Sequence, residues 1–158
     1  SHGAMMRRLV ESGAFPGDRF LQLGLRGYWP GEEDQQWMRE NNLKHYRMQE
    51  FWERGAMPVL DDVIQEAKKR APKAYISIDI DVLDPGFAPA TGTPEPGGFA
   101  PIDLLRMIRR LTLELDVVGF DVMEIAPAYD HADITVNNAH RLIWEFFAAM
   151  AVKKRDGS

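Results

Sequence analysis

Cysteine is absent from this chain, and so are long apolar runs. Without cysteine there is no disulfide framework and no thiol chemistry, and a reducing cytoplasm is the simpler expected location. No window approaches the roughly 18 apolar residues that a membrane span requires. A positively charged start followed by an apolar signal core is also lacking. We therefore expect no membrane partner.

Clustered positive charge is scarce as well. The formal net charge is -5, and a basic run at residues 153–155 lies at the C-terminus. Proteins that bind nucleic acid neutralise phosphates with grouped Lys and Arg. We therefore expect no nucleic-acid partner, and interpret the basic run as a solvated tail.

The chain does contain an alternation of strand-like and helix-like segments. Apolar runs at residues 20–25, 74–80 and 117–123 are typical of buried strands, and the run at 74–80 is expected to be covered on both faces. Helical periodicity at residues 59–71 and 101–115 separates them. This order predicts an α/β fold with three α-β-α layers and a mainly parallel sheet. Such sheets place their chemistry at the carboxyl ends of the strands.

A further helix is predicted to end the chain. Asp130 and Asp133 resemble its N-terminal cap. We expect an apolar stripe to face the core, made of Val136, Ala139, Ile143, Phe146, Phe147 and Met150.

Asp79 and Asp81 stand at the end of the second strand-like run. In an extended chain two such side chains project to the same side, roughly 6.5 Å apart along the strand. Two close carboxylates repel each other and resist desolvation, and a divalent cation removes both penalties. Hard oxygen ligands favour Mg or Mn. The alternative is a capping or turn pair.

A long loop at residues 84–98 follows, with the sequence DPGFAPATGTPEPGG. It contains four of the ten prolines and four of the thirteen glycines. Proline reduces the entropy of the unfolded chain and glycine permits close backbone approach, so a rigid wall of a binding site is one interpretation. A flexible linker is the other, although a linker would be more polar and would lack Phe87 and Phe99.

Residues 77–98 resemble the late signature of the ureohydrolases, which include arginase, agmatinase and formiminoglutamase. Their sequence is SIDIDVLDPGFAPATGTPEPGG. Three more segments match in the family's order, and they read SHG at residues 1–3, FDVMEIAP at 120–127 and AYDHADIT at 128–135. The PAYDHA and PEPGG runs favour the agmatinase branch.

The resemblance implies a role for each matching side chain. Asp79 and Asp81 match two ligands of a paired Mn centre. Glu124 matches the carboxylate that binds the substrate's guanidinium group, and Thr93 matches the hydroxyl that supports that glutamate. His2 matches the histidine that passes a proton to the leaving amine. The cofactor would be two Mn²⁺ ions in the complete enzyme.

The implied reaction is hydrolysis of a small guanidino compound, with agmatine giving urea and putrescine. 4-Guanidinobutyrate and 3-guanidinopropionate are alternative substrates. A cytoplasmic homo-oligomer, a trimer or hexamer, is expected from the family.

The same resemblance exposes a deficit. Only two of its six metal ligands are present, because the His after a Gly-Gly-Asp run and the D-A-H-x-D motif have no counterpart. We therefore interpret residues 1–158 as the C-terminal part of a single ureohydrolase domain, incomplete at its N-terminal side. Two alternatives are a catalytically silent fragment and a DxD-type metal-dependent transferase, although the latter leaves TGTPEPGG and Glu124 unexplained.

Overall fold

The computed structural model describes residues 4–28 and 30–157. Helices in this part of the chain are α1 (Ala4–Glu11), α2 (Glu32–Glu40), α3 (Met48–Arg54), α4 (Ala56–Arg70), α5 (Pro101–Glu114) and α6 (Ile134–Arg155). Strands are β1 (Leu21–Leu25), β2 (Lys44–Arg47), β3 (Ala74–Asp79) and β4 (Val117–Met123). The three strand-like runs of the sequence correspond to β1, β3 and β4.

The described strands form two parallel pairs. β1 pairs with β2, and β3 pairs with β4. Helix α5 connects β3 to β4, because parallel neighbours need a crossover rather than a tight hairpin. The α/β class with parallel pairing is confirmed, and within residues 4–28 and 30–157 the sheet consists of two separate pairs.

Apolar helix faces build the core against β3 and β4. Proline at the first turn of α5 suits a helix start, since that N–H has no helical partner. Phe120 of β4 stacks on Phe146 of α6, with ring centroids 4.3 Å apart. The core contributions of α4 and α5 are Val59, Leu60, Val63, Ile64, Leu104, Met107, Ile108 and Leu111.

The opposite face of the β3–β4 pair is open to solvent. Tyr75 is 61% exposed, and Met123, which pairs with Asp79, is 45% exposed. On this face the carboxylate of Asp121 accepts hydrogen bonds from the Tyr75 hydroxyl at 2.8 Å and the Ser77 hydroxyl at 2.6 Å. The expectation that this strand is covered on both faces is wrong for the described chain, because helices pack on its other face.

Helix α6 carries apolar residues on more than one face, and the predicted core stripe includes some residues that are exposed in the structure. Ala139 and Phe146 are buried as expected, whereas Phe147 is 59% exposed. Met150 also faces outward, and Leu142 takes the predicted place of Ile143 in the core. Among the helices that the structure describes, none has both the length and the apolar character that crossing a bilayer requires.

Candidate active site

Two carboxylates meet at the carboxyl ends of β3 and β4. Asp79 is the last residue of β3, and Glu124 directly follows β4. Asp79 pairs in register with Met123, so Glu124 emerges from the sheet beside it. This is the edge at which parallel sheets carry their ligands.

The Asp79–Asp81 pair is held by a turn rather than by an extended strand. β3 ends at Asp79, and a short 3-10 turn spans Ile80–Val82. The backbone N–H of Asp81 donates to Oδ1 of Asp79 at 3.2 Å. The extended geometry expected from the sequence is therefore wrong, because the chain turns at Ile80, although the turn keeps the two acidic residues together.

Asp79 has an unusual protonation equilibrium. Solvent reaches it from the open side of the sheet, but surrounding protein partly desolvates the carboxyl group. This desolvation, followed by the charges of Asp81 and then Glu124, raises the pKa of Asp79 to about 7. A cation at this edge would offset the same repulsion.

Glu124 occupies a backbone conformation that glycine prefers. Its φ angle is 64°, in the left-handed region. Non-glycine residues held there carry strain, which concentrates at functional sites. A Cβ atom built on Gly92 would lie 3.5 Å from Oε2 of Glu124. The carboxylate of Glu124 therefore lies close to the loop at residues 84–98.

Thr93 connects this loop to the turn at residues 79–82, called the acidic turn below. Its hydroxyl donates to Oδ2 of Asp81 at 2.7 Å. The structure thus places Thr93 beside Asp81, and places Glu124 next to the neighbouring Gly92. The expected support of Glu124 by Thr93 stays a prediction.

The ends of the loop are closed by Asp84. Its carboxylate accepts N–H donors from Gly86 at 3.0 Å and from Gly97 at 2.7 Å. These two donors hold the pKa of Asp84 below its usual value. A side chain on Gly98 would overlap the backbone of Leu83 and Asp84, so only glycine fits there. The loop is tied at its base.

The middle of the loop is anchored to α6. The N–H of Ala90 donates to the fully buried hydroxyl of Thr135 at 3.0 Å. The amide of Asn138 donates to the carbonyl of Phe87 at 2.8 Å. Trp52 holds the far end by donating to the carbonyl of Gly97 at 3.0 Å. These contacts fit the interpretation as a rigid wall better than a linker.

Asp130 caps α6, as the sequence suggested. Its Oδ1 accepts from the N–H of Thr135 at 3.1 Å, and Oδ2 accepts from Val136 at 2.8 Å. Asp133 immediately precedes the helix with φ 56° and no capping hydrogen bond from its side chain. The cap therefore comes from Asp130, three residues earlier.

Removing this cap is expected to lower stability. We expect Asp130→Ala to reduce the melting temperature by about 2–4 °C, because two N–H groups of the first turn lose their acceptor. Thermal unfolding followed by circular dichroism measures the change. Asp133→Asn is the control, since asparagine tolerates the left-handed region, and it should leave the melting temperature unchanged. Equal losses in both variants would contradict the assignment of the cap.

Arg26 belongs to the site, although its sequence context contains no motif. It directly follows β1, and its guanidinium donates to the carbonyls of Asp81, Leu83 and Glu95. The one available signal was its position at the carboxyl end of a predicted strand.

The ligand set for a metal is incomplete in the described chain. Asp79 and Asp81 have the hard oxygen donors that Mn²⁺ accepts, and their repulsion fits a cation between them. Residues 4–28 and 30–157 contain no group of three or more His, Cys, Asp or Glu side chains that could hold an ion. His2 lies outside the described residues.

These features define an α/β protein with an acidic site at the carboxyl ends of parallel strands. Comparison with known proteins identifies its family. The profile of the arginase family matches residues 1–149, and the chain belongs to that family. The resemblance seen in the sequence is confirmed.

Individual relatives differ in their named substrates. The chain is 35% identical to a guanidinopropionase of Pseudomonas aeruginosa over 153 residues, which is 96% of this chain and 46% of that protein. It is 34% identical to a mitochondrial agmatinase of Gallus gallus over 151 residues, 94% of this chain and 43% of the relative. The chain therefore spans about half the length of the curated relatives that it matches.

Solved structures support the fold. A formimidoylglutamase from Bacillus subtilis superposes with a TM-score of 0.87 at 25% identity. The match covers 92% of this chain and 45% of that one. The arginase-like α/β fold is confirmed, in a chain that is incomplete relative to these homologues.

Proposed function

We propose that this chain contributes one part of the active site of an enzyme that hydrolyses a guanidino compound to urea and an amine. The observation that carries the proposal is the meeting of Asp79, Asp81 and Glu124 at one edge of the sheet. In such an arrangement Asp79 and Asp81 can bind a metal ion. Glu124 can separately accept hydrogen bonds from an organic cation.

Asp79 and Asp81 would hold Mn²⁺ in this proposal. Their carboxylates are hard donors, and the pKa of Asp79 is raised by partial desolvation and by the charges of Asp81 and Glu124, which a bound cation would offset. A bound pair of Mn²⁺ ions supplies activated water at neutral pH. The remaining ligands would come from outside the described residues.

Glu124 would bind the guanidinium group of the substrate. A carboxylate can accept two parallel N–H bonds from this planar cation, which fixes its orientation as well as its position. Thr93, which hydrogen-bonds Asp81, would support this side of the pocket. His2 would protonate the departing amine, since imidazole titrates near neutral pH.

Agmatine is the substrate that we propose first, because the PAYDHA and PEPGG runs favour the agmatinase branch. 4-Guanidinobutyrate and 3-guanidinopropionate are the alternatives. The agmatinase and the guanidinopropionase above have nearly equal identity to the chain, so identity does not separate them.

A second candidate is that the chain alone is catalytically silent. Within the described residues, Asp79 and Asp81 are not joined by a third ligand in any potential metal group. Two carboxylates are too few for two ions, so we expect no hydrolysis by the isolated chain.

Urea release separates these candidates. The chain would be assayed with Mn²⁺ on agmatine, 4-guanidinobutyrate and 3-guanidinopropionate. A second protein would carry the unmatched N-terminal part of the Pseudomonas aeruginosa guanidinopropionase fused before residue 1. We expect activity in the fusion and none in the chain alone. Activity of the chain alone would contradict the candidate in which the isolated chain is inactive. An inactive but folded fusion would contradict the proposed hydrolysis.

The proposal also includes a cytoplasmic homo-oligomer, a trimer or a hexamer. The absence of cysteine supports the location, and the family resemblance supports the assembly. Cell fractionation and light scattering measure these two properties.

A further inference from the structure

Arg26 connects the end of β1 to the acidic turn and to the loop at residues 84–98, which lie more than 50 residues later in the sequence. Its Nη2 atom lies 2.6 Å from the carbonyl oxygen of Asp81 and 3.2 Å from that of Leu83. The same atom lies 2.6 Å from the carbonyl oxygen of Glu95, to which Nε also donates at 3.0 Å. One side chain at the end of β1 therefore holds both the acidic turn and the loop at residues 84–98.

The backbone before Arg26 is shaped to deliver this side chain. The register of β1 with β2 shifts between Leu23 and Leu25, and Gly24 between them has φ 84°. A Cβ atom on Gly24 would lie 2.7 Å from Cγ2 of Val82, which belongs to the acidic turn. Bulges of this kind redirect the residues that follow them. Gly24 thus brings the end of β1 against the turn.

The segments that Arg26 holds are those that carry the site. Asp81 accepts the hydroxyl of Thr93, and Glu95 is two residues beyond Thr93. Fixing the carbonyls of Asp81 and Glu95 from one guanidinium therefore fixes the Asp81–Thr93 contact from both sides. Placement of a ligand carboxylate within a fraction of an ångström affects its affinity for a metal ion.

Arginine suits this task and lysine does not. The guanidinium group presents five N–H donors in a rigid fork, whereas an ammonium group on a flexible stem cannot reproduce that spread. Both are cations, so a lysine at this position keeps the charge near the acidic turn and loses the fork. This difference separates positioning from simple charge compensation.

We propose that Arg26 is a positioning residue, which clamps the Asp79–Asp81 turn to the loop carrying Thr93 and thereby sets the geometry of the Asp81 carboxylate. That the clamp exists follows from the hydrogen bonds of Arg26 alone. That it serves metal binding rests on the proposed function.

Amide hydrogen exchange tests the clamp in the chain as it stands. Arg26→Met and Arg26→Lys would be compared with Arg110→Met, a matched change at an arginine of α5 that bonds Asp61 and Glu114. We expect both Arg26 variants to speed exchange at Asp81 and Gly97 by about tenfold, with the core amide of Ile64 unchanged. Arg110→Met should leave exchange at Asp81 and Gly97 unaltered.

Relaxation of the same amides by added Mn²⁺, measured in the fusion that carries the N-terminal part of the relative, provides a second measurement. We expect the apparent affinity for Mn²⁺ at Asp79 and Asp81 to fall by about tenfold in both Arg26 variants and to stay constant in Arg110→Met. Wild-type behaviour of Arg26→Lys, or faster exchange throughout the core, would overturn the clamp. Unchanged Mn²⁺ affinity in Arg26→Met would overturn its role in positioning Asp81.

The two proposals can fail separately. If the wild-type fusion shows no Mn²⁺ effect at Asp79 and Asp81, the metal part of the proposed function is overturned. The exchange rates then decide by themselves whether Arg26 is a clamp.

Discussion

Asparagine in place of Asp79 is expected to make the chain more stable at pH 8 and, in the fusion that supplies the unmatched N-terminal part, to abolish Mn²⁺ binding. The pKa of Asp79 is raised to about 7 in the folded chain, against an ordinary value of 3.8. Its causes are partial desolvation, the charge of Asp81 and the charge of Glu124. The substitution Asp79→Asn would remove the ionised group and the repulsion that it feels, but it would also remove one of the proposed metal ligands.

The direction of the pH dependence follows from the order of deprotonation. As pH rises, the unfolded chain loses the Asp79 proton first, near its ordinary pKa, whereas the folded chain keeps it until about pH 7. The contribution of Asp79 to the free energy of unfolding is therefore complete at low pH and falls as pH approaches 7. Solvent screening limits the expected gain of Asp79→Asn at pH 8 to about 1–2 kcal/mol.

Urea unfolding at pH 4, 6 and 8 measures this effect, with Mn²⁺ binding followed separately. Asp121→Asn is the matched control, because Asp121 lies on the neighbouring strand and accepts hydrogen bonds from Tyr75 and Ser77. The control should lose stability at pH 8. If Asp79→Asn lost stability in the same way, the repulsion assigned to the acidic turn would be contradicted.

Replacing Glu124 is expected to remove hydrolysis while glycine at that position stabilises the chain. In the fusion described above, Glu124→Gln should reduce urea release by at least about 100-fold, because the substrate's guanidinium group would lose the charged acceptor proposed for it. Glu124→Gly should remove activity similarly. Its φ of 64° suits glycine, so the free energy of unfolding of the chain should rise by about 0.5–1 kcal/mol.

Asn42→Gly provides the comparison for the backbone effect. Asn42 also has positive φ, at 58°, and lies between α2 and β2, away from the site. A smaller gain in stability with unchanged hydrolysis is expected there, because asparagine already tolerates the left-handed region. Full activity in Glu124→Gln would remove Glu124 from substrate binding, and a large loss of stability in Glu124→Gly would show that contacts of its side chain outweigh backbone strain.

The sequence predicted the positions of helices and strands better than the burial of their side chains. β4 begins and ends as expected, because an apolar run between two helices has few alternatives. The exposure of Tyr75 was missed, since a continuous apolar run indicates burial on both faces but does not reveal how many strands the described sheet contains. For α6, apolar residues on both faces left the orientation of Phe147 undetermined until packing was known.

For the candidate site, too, the sequence predicted some residues and missed other features. Asp79, Asp81, Thr93 and Glu124 were selected from motifs, and the structure places their segments together at one edge of the sheet. The turn at Ile80 was not foreseen, because two aspartates with one residue between them fit a strand end and a turn equally well. Arg26 was missed because its partners are backbone carbonyls, which every residue possesses and no sequence motif records.

The loop at residues 84–98 is tied down chiefly through its main chain. Its anchors bind the N–H groups of Gly86, Ala90 and Gly97 and the carbonyls of Phe87, Glu95 and Gly97. Apart from those of Asp84, Thr93 and the buried Ala88 and Ala90, the loop's side chains form none of these anchors. Mutation can change the chemistry that this wall presents to a ligand while its path stays constant. Such separation of scaffold from surface allows substrate preference to diverge within one fold.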